Sequence, residues 1–585
     1  MQLRAPVVST VGARRSRAAT AICAAALALA LSACGGRSPA VSQDVSQPAP
    51  PTEAHAPAVP APPSPAYVPS ANAAKAAPAA EMHTRAAMAP RPYYVPPPPA
   101  ADRERYGAID ENGVKLVAQA PVSTFSIDVD TGSYSNMRRL LNAGRLPPAD
   151  AVRVEELLNY FPYDYAQPAD GRPFAVHTAL APAPWHPANV LLRIGIKGKD
   201  MASGALPAAN LVFLVDVSGS MNSPDKLPLL KSSLKLLVNK LRPQDRITLV
   251  TYASGTRVAL PPTPGSDKAA IGAAIDQLVA GGSTAGASGI ALAYQAAQQS
   301  YIAGGINRVL LATDGDFNVG VTDFRQLKSM VEEKRKSGVS LSTLGFGTGN
   351  YNEQLMEQLA DAGDGAYSYI DNLMEGNKVL VSEMSSTLAT IARDVKIQVE
   401  FNPATVKEYR LIGYENRMLA REDFNNDKVD AGDIGAGHTV TALYELTLAG
   451  QPGLVDPLRY QQPAPAPGRD GELAHVKLRY KLPTASTSQL MDVTVARQAI
   501  RPLAQGDDDF RFAAAVAGFG QALRGGKFTG TWGYADARAL AQGARGADRF
   551  GYRGEFLKLV DLAQSLATAA PVGTTGAGSP ERAAR

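Results

Sequence analysis

The stretch Asn210-Leu211-Val212-Phe213-Leu214-Val215-Asp216-Val217-Ser218-Gly219-Ser220-Met221 decides how the rest of the chain is read. Its first six residues are a nearly uninterrupted apolar run, the pattern of a strand covered on both faces of a sheet. A carboxylate and two hydroxyls follow at alternate positions, and Gly219 lets the chain turn sharply between them. Asp216, Ser218 and Ser220 can therefore aim their oxygens from one tight loop at a common centre. Hard oxygen donors suit Mg²⁺, which keeps near-octahedral geometry and usually retains some of its water.

Outward from this loop, strand and helix alternate. Helical apolar spacing over 226–241 leads to a strand over 246–252 and helices over 267–279 and 287–301. Strands over 308–312, 340–346 and 366–370 alternate with helices over 323–336 and 352–360, and a last helix runs to about 393. The repeat predicts an α/β fold built on a doubly wound, mostly parallel sheet, with its ligand site at the carboxyl ends of the strands. Two further oxygens fall at such ends or on loops beside them. They are Thr284 in Gly281-Gly282-Ser283-Thr284 and Asp314 in Ala312-Thr313-Asp314-Gly315, while Asp316 reads as a loop acid.

Asp216, Ser218 and Ser220, then Thr284, then Asp314 resemble the metal-ion-dependent adhesion site of von Willebrand factor type A domains, over residues 205–395. A bare DxSxS occurs by chance, but three pieces in order, on the correct sides of βα units, form a specific signal. The resemblance implies a Rossmann-like fold in which Ser218 and Ser220 coordinate Mg²⁺ (or Mn²⁺ or Ca²⁺) directly. Thr284 would bind directly or through water, and Asp216 and Asp314 through water or directly according to the ligand state. It further implies an ion that accepts an acidic side chain from a protein partner. More widely, 125–165 and the region after 396 resemble the flanks of bacterial type A-domain lipoproteins whose own role is poorly defined.

Residues 1–33 read as a secretion signal: Arg4, Arg14, Arg15 and Arg17 stand without an acid before an apolar run, 21–31, too short to span a bilayer as a stable helix. Leu31-Ser32-Ala33-Cys34 resembles a bacterial lipobox, which implies lipidation of Cys34 and attachment to a membrane. Gly35, in place of the Asp associated with inner-membrane retention, favours the outer membrane of a Gram-negative envelope. Arg14-Arg15 lacks the hydrophobic residues that follow a twin-arginine signal. Between 34 and 100 stand 17 of the 44 prolines, interleaved with Ala and Ser, so this segment is expected to be a disordered, partly polyproline tether. At about 3.1 Å per residue its full reach is on the order of 200 Å.

A flanking region of helices and strands is expected over 120–204, with strands at 125–130, 174–180 and 190–196 and helices at 134–141 and 149–161. After the alternation ends, strands follow alone at 396–401, 408–414, 439–448, 474–480 and 491–496, which predicts an antiparallel, sandwich-like module over 396–500. The strands of 174–196 have no other sheet to join, so they are expected to pair with that module, leaving the type A domain inserted in it. Helices at 507–523 and 535–567 fill a C-terminal helical region over 501–569, before a disordered tail at 570–585. Asp128 and Asp130 read as capping or turn residues. The Asp- and Asn-rich 422–435 fails as a calcium loop, because Lys428 stands where the turn glycine belongs and Ile434 where the bidentate acid belongs.

The remaining features narrow the function classes. Lys and Arg number 58 against 54 Asp and Glu, a net charge of +4 that argues against nucleic acid as a partner. All four surplus charges are the arginines of 1–33, so the chain beyond them is formally neutral. Two cysteines build neither a disulfide framework nor a four-cysteine zinc site, and Cys23 would leave with the signal. The six histidines (His55, His83, His177, His186, His438, His475) lie outside the type A region and form no catalytic or zinc pair. There is no Walker A sequence, no GxSxG and no HExxH. Phosphoryl transfer from an aspartate would want a second Asp where Ser218 stands. The expectation is therefore a non-enzymatic, lipid-anchored envelope protein, periplasmic or surface-facing, that engages a protein partner through a divalent metal. A metal-stiffened structural scaffold is the alternative, and a Mg²⁺-dependent phosphohydrolase the less favoured one.

Overall fold

The computed structural model describes residues 104–127, 130–283, 286–315, 324–349, 351–456 and 469–569. Residues 1–33, Cys34, the 34–100 segment, Asp128, Thr284, Asp316 and the 570–585 tail lie outside the described residues.

A flanking segment comes first: strands β1 (Lys115–Leu116) and β2 (Val122–Ser126), helices α1 (Gly132–Asn142) and α2 (Val154–Asn159), and the hairpin β3 (Phe174–Ala183) to β4 (His186–Gly198). Then strand and helix alternate through β5 (Ala209–Asp216), α3 (Leu227–Lys240), β6 (Arg246–Tyr252), β7 (Thr256–Pro264), α4 (Lys268–Asp276) and α5 (Gly286–Gln299). The alternation continues with β8 (Ile306–Thr313), α6 (Phe324–Arg335), β9 (Ser340–Phe346), α7 (Glu353–Ala362) and β10 (Tyr367–Ile370), closing on α8 (Leu373–Asn377) and α9 (Met384–Leu388). A run of strands follows: β11 (Thr390–Phe401), β12 (Val406–Ile412), β13 (Ile434–Gly435), β14 (Thr439–Leu448), β15 (Glu472–Lys481) and β16 (Gln489–Ala496). Helices α10 (Asp508–Leu523), α11 (Tyr534–Gln542) and α12 (Tyr552–Ala569) end it.

The alternating segment makes one six-stranded sheet in the order β10-β9-β8-β5-β6-β7, parallel except for β7. Strand β5 is buried along its whole length because helices cover both sheet faces, as its unbroken apolar run requires. One face packs Leu211, Phe213 and Val215 under α3 and α4, and the other packs Val212 and Leu214 under α5. This is the doubly wound α/β architecture expected.

Two antiparallel sheets flank the insertion. One has the order β1-β12-β14-β4-β3, and the other runs β13-β11-β15-β16 with β2 also paired to β11. Strand β4 lies along β14, with Ile196 opposite Val440 and Val190 opposite Leu446, so the strands of 174–196 do join the later β-module. The two sheets bury a shared core that includes Phe125, Ile194, Ile397, Tyr444 and Val476. Gly198, where β4 ends, has no room for a side chain: a Cβ there would lie 2.6 Å from the Gly435 carbonyl oxygen and 3.1 Å from Ile391 Cδ1. The chain thus leaves for the alternating domain and returns at one place. A further core forms where α1, α2 and α10–α12 cover the first sheet, with Phe161, Phe512, Phe519 and Phe556 at its centre.

The structure corrects several sequence expectations. The helix expected to run to about 393 ends at Leu388, and β11 opens at Thr390, across the expected 395/396 boundary. Strand β7 was not expected because it contains Pro261, Pro262 and Pro264. It lies at the sheet edge, where missing backbone N–H groups cost little. The single helix expected over 535–567 is two, separated by a turn holding Gly543, Gly546 and Gly551. The strand expected over 125–130 is β2, Val122–Ser126. Asp130 just beyond it ties elements together: it accepts from the Tyr367 N–H at 2.8 Å and from Arg417 at 3.2 Å.

Candidate functional site: the carboxyl ends of the central strands

Asp216 closes β5 and is completely buried. Its Oδ1 accepts from the Ser218 N–H at 2.9 Å, and its Oδ2 accepts from the Tyr252 hydroxyl at 3.2 Å and the Thr313 hydroxyl at 3.0 Å. Tyr252 ends β6 and Thr313 ends β8, the strands on either side of β5, so three adjacent strands each deliver one group. Burial pushes the Asp216 carboxyl up to about 6, the Ser218 hydrogen bonds oppose this, and the charge of Asp314 adds to the rise.

Ser218 and Ser220 follow on the loop, their hydroxyl oxygens 3.0 Å apart. Ser218 is buried and Ser220 exposed, so the loop reaches from the sheet to solvent. Backbone bonds fix it: the Val217 N–H donates to the Tyr252 carbonyl at 3.0 Å, and the Gly219 N–H to the Gly282 carbonyl at 3.0 Å. The Gly281 N–H donates back to Val217 at 2.7 Å, so the segment leading to Thr284 is laced to the 216–221 loop. Thr284 itself is outside the described residues.

Asp314, one residue past β8, is also fully buried. Its Oδ2 accepts from Lys226 Nζ at 2.8 Å, in an ion pair whose lysine side chain is 8% exposed. Sequence reasoning missed Lys226, Tyr252 and Thr313. Lys226 did carry a signal, since it stands at helical spacing ahead of Leu230 and Leu234, a charge on a stripe that is otherwise buried and apolar.

The structure therefore brings Asp216, Ser218, Ser220 and Asp314 to one end of the sheet. Two buried carboxylates with two hydroxyls form a donor set that a hard divalent cation accepts. Among the described residues no three His, Cys, Asp or Glu side chains are grouped as a metal cage, so an ion here would depend on the hydroxyls. The four described histidines are elsewhere, and burial pushes His438 down to about 4, with Lys378 and Lys197 adding to the shift. No helix among the described residues is long and apolar enough to cross a membrane.

Comparison with known proteins agrees with this architecture. Residues 210–381 match the family described as von Willebrand factor type A domain, residues 100–193 one described as von Willebrand factor, and residues 386–566 one described as "Uncharacterized protein YfbK, C-terminal". The chain is 54% identical over 471 residues to the uncharacterized protein YfbK of Escherichia coli (strain K12), an alignment covering 79% of this chain and 81% of that one. It is 31% identical over 185 residues to the uncharacterized protein sll0103 of Synechocystis, covering 32% and 43%. Among solved structures, a von Willebrand factor type A protein from Catenulispora acidiphila is 17% identical, with a TM-score of 0.37, over 67% of this chain and 91% of that one.

Proposed function

Since the chain belongs to the family of the uncharacterized Escherichia coli protein YfbK, we propose for it the role that its strand ends support: a lipid-anchored envelope protein that binds a protein partner through a divalent cation. The observation that carries this reading is the convergence of Asp216, Ser218, Ser220 and Asp314 at one end of a buried sheet. Those residues, with Thr284, would hold Mg²⁺. When bound, the ion supplies a Lewis-acidic position able to take a carboxylate oxygen from the partner.

The chain's own contribution is positioning. Three donors fix both oxygens of Asp216, so the loop need not reorganise to present Ser218. Ser220 places its hydroxyl at the solvent boundary, where an incoming side chain would meet it. Attachment through Cys34 in the outer membrane rests on the Leu31-Ser32-Ala33-Cys34 sequence. The reading contains no catalytic step.

The test compares thermal stability and pull-downs from envelope extracts in Mg²⁺, in EDTA and for Asp216→Ala. Stabilisation by Mg²⁺ and a partner captured only by the metal-loaded wild-type chain are expected. A partner retained equally under all three conditions would sink the proposal.

A further inference from the structure

We infer that Lys226 is the internal counter-ion of the strand-end site: its ammonium holds Asp314 when no metal is bound and competes with the divalent ion for that carboxylate. The inference rests on the metal-binding reading above and adds a residue that sets its affinity.

Asp216 and Asp314 are both fully buried at the ends of neighbouring strands, close enough for each to feel the other's charge. Two buried carboxylates without a cation would be costly. Lys226 supplies one positive charge, 2.8 Å from Asp314 Oδ2. The fold makes a path for it. Gly347, just past β9, has φ +77°, and a Cβ there would sit 2.2 Å from Lys226 Cε and 2.4 Å from its Cγ. The lysine stem therefore lies along bare backbone, which a side chain at 347 would block.

The charge balance then shows what a divalent ion changes. Asp216, Asp314 and Lys226 sum to one negative charge, and adding M²⁺ gives one positive charge, which an anionic ligand would neutralise. The ammonium and the metal repel each other across a shared carboxylate. Even with water-like screening, charges of +1 and +2 about 6 Å apart weaken binding by about tenfold.

The experiment titrates Mg²⁺ and Mn²⁺ into the chain from residue 35 onward by calorimetry, for wild type, Lys226→Gln and Lys226→Met, with thermal unfolding in EDTA as a second readout. Glutamine keeps a stem along Gly347 and a hydrogen-bond donor for Asp314 but carries no charge. Both variants are expected to bind the metal about tenfold more tightly and to unfold at a lower temperature in EDTA, with Mg²⁺ restoring more stability than it gives the wild type. Unchanged or weaker metal affinity in Lys226→Gln overturns the assignment while leaving the metal site standing. Absence of binding by any of the three chains removes the metal reading and the competition with it.

Discussion

Arg138 offers the sharpest test of how the inserted domain is held. It lies on α1 with its side chain 2% exposed, and its guanidinium donates to Asp371 at 2.8 Å through Nε, with a second, shorter bond through Nη2. It also donates to Glu375 at 2.8 Å, to Glu555 at 3.0 Å and to the Tyr160 hydroxyl at 2.8 Å. Asp371 and Glu375 belong to the end of the alternating domain, and Glu555 to α12, so one side chain ties three parts of the chain. Burial alone would oppose its charge, but Asp371 and Glu375 outweigh that and hold the guanidinium well above its ordinary value.

The substitution is Arg138→Met, which keeps much of the volume and removes the charge. It strands Asp371 and Glu375, 5% and 1% exposed, as uncompensated buried carboxylates. Breaking a buried pair in this way costs about 3–5 kcal/mol. Glu555 is 32% exposed and solvent-screened, so its share is small. Hydrogen exchange read by mass spectrometry on α8 and α12 reports the local opening, and that cost corresponds to exchange faster by a factor on the order of 10²–10⁴. Adding Asp371→Asn and Glu375→Gln should recover most of the protection, because no stranded charge then remains. Exchange within tenfold of wild type in Arg138→Met, or no recovery in the triple variant, would refute the reasoning.

Three other outcomes are expected. Glu156 is buried beside Arg153 and near Glu155, Glu353 and Glu357, and burial pushes it up to about 8. It binds its proton more tightly folded than unfolded, so its stabilising effect is full below about 4.5 and lost as pH rises through about 8. Urea unfolding should therefore show Glu156→Gln at least about 1 kcal/mol more stable than wild type at pH 8 and level with it at pH 4.5. Gly347→Ala forces a left-handed alanine against the Lys226 stem, and urea unfolding in EDTA should show a loss of about 2 kcal/mol or more. A 396–500 fragment lacks β2 and β4, which pair with β11 and β14, and β3, which pairs with β4, and should be unfolded by circular dichroism where 104–569 is folded.

The central sheet was legible because its strands are buried on both faces and so read as apolar runs between helical periods. The sharing of a sheet by β4 and β14 was legible for a different reason: two strands with no neighbours must find some. What escaped depends on contacts far apart in sequence or on broken periodicity. The start of β11 is disguised by a register shift between Arg393 and Lys396, where Asp394 takes φ +51°, so its alternation fails within the first turns of pairing. At the site, the Asp216, Ser218 and Ser220 pattern is local and needs only three alternate positions within five residues. Lys226 meets Asp314 across 88 residues, and nothing in its immediate neighbours separates it from a surface lysine except its place on an apolar stripe.

Helix α1 links the strand-end region to the rest of the molecule. Glu104 accepts from the Gly349 N–H at 3.1 Å and from Arg139 at 2.8 Å, and the Arg105 N–H donates to the Tyr351 carbonyl at 3.0 Å. The loop after β9, beginning at the glycine along which Lys226 lies, is thereby tied to α1. The adjacent Arg138 ties the same helix to α8 and α12. Arg417 repeats the pattern from the β-module, reaching Asp130, Glu357 and Asp361. Separating Arg138 from Asp371 and Glu375 would strand two buried carboxylates, which is far more costly than bending an ordinary surface loop. The junction between the inserted domain and its flanks is therefore tied by buried and half-buried ion pairs. On the proposed reading, a partner arriving at the exposed Ser220 would meet strand ends whose position relative to the β-module these pairs fix. For the proposed binding role, a pre-set orientation would spare part of the ordering cost of association.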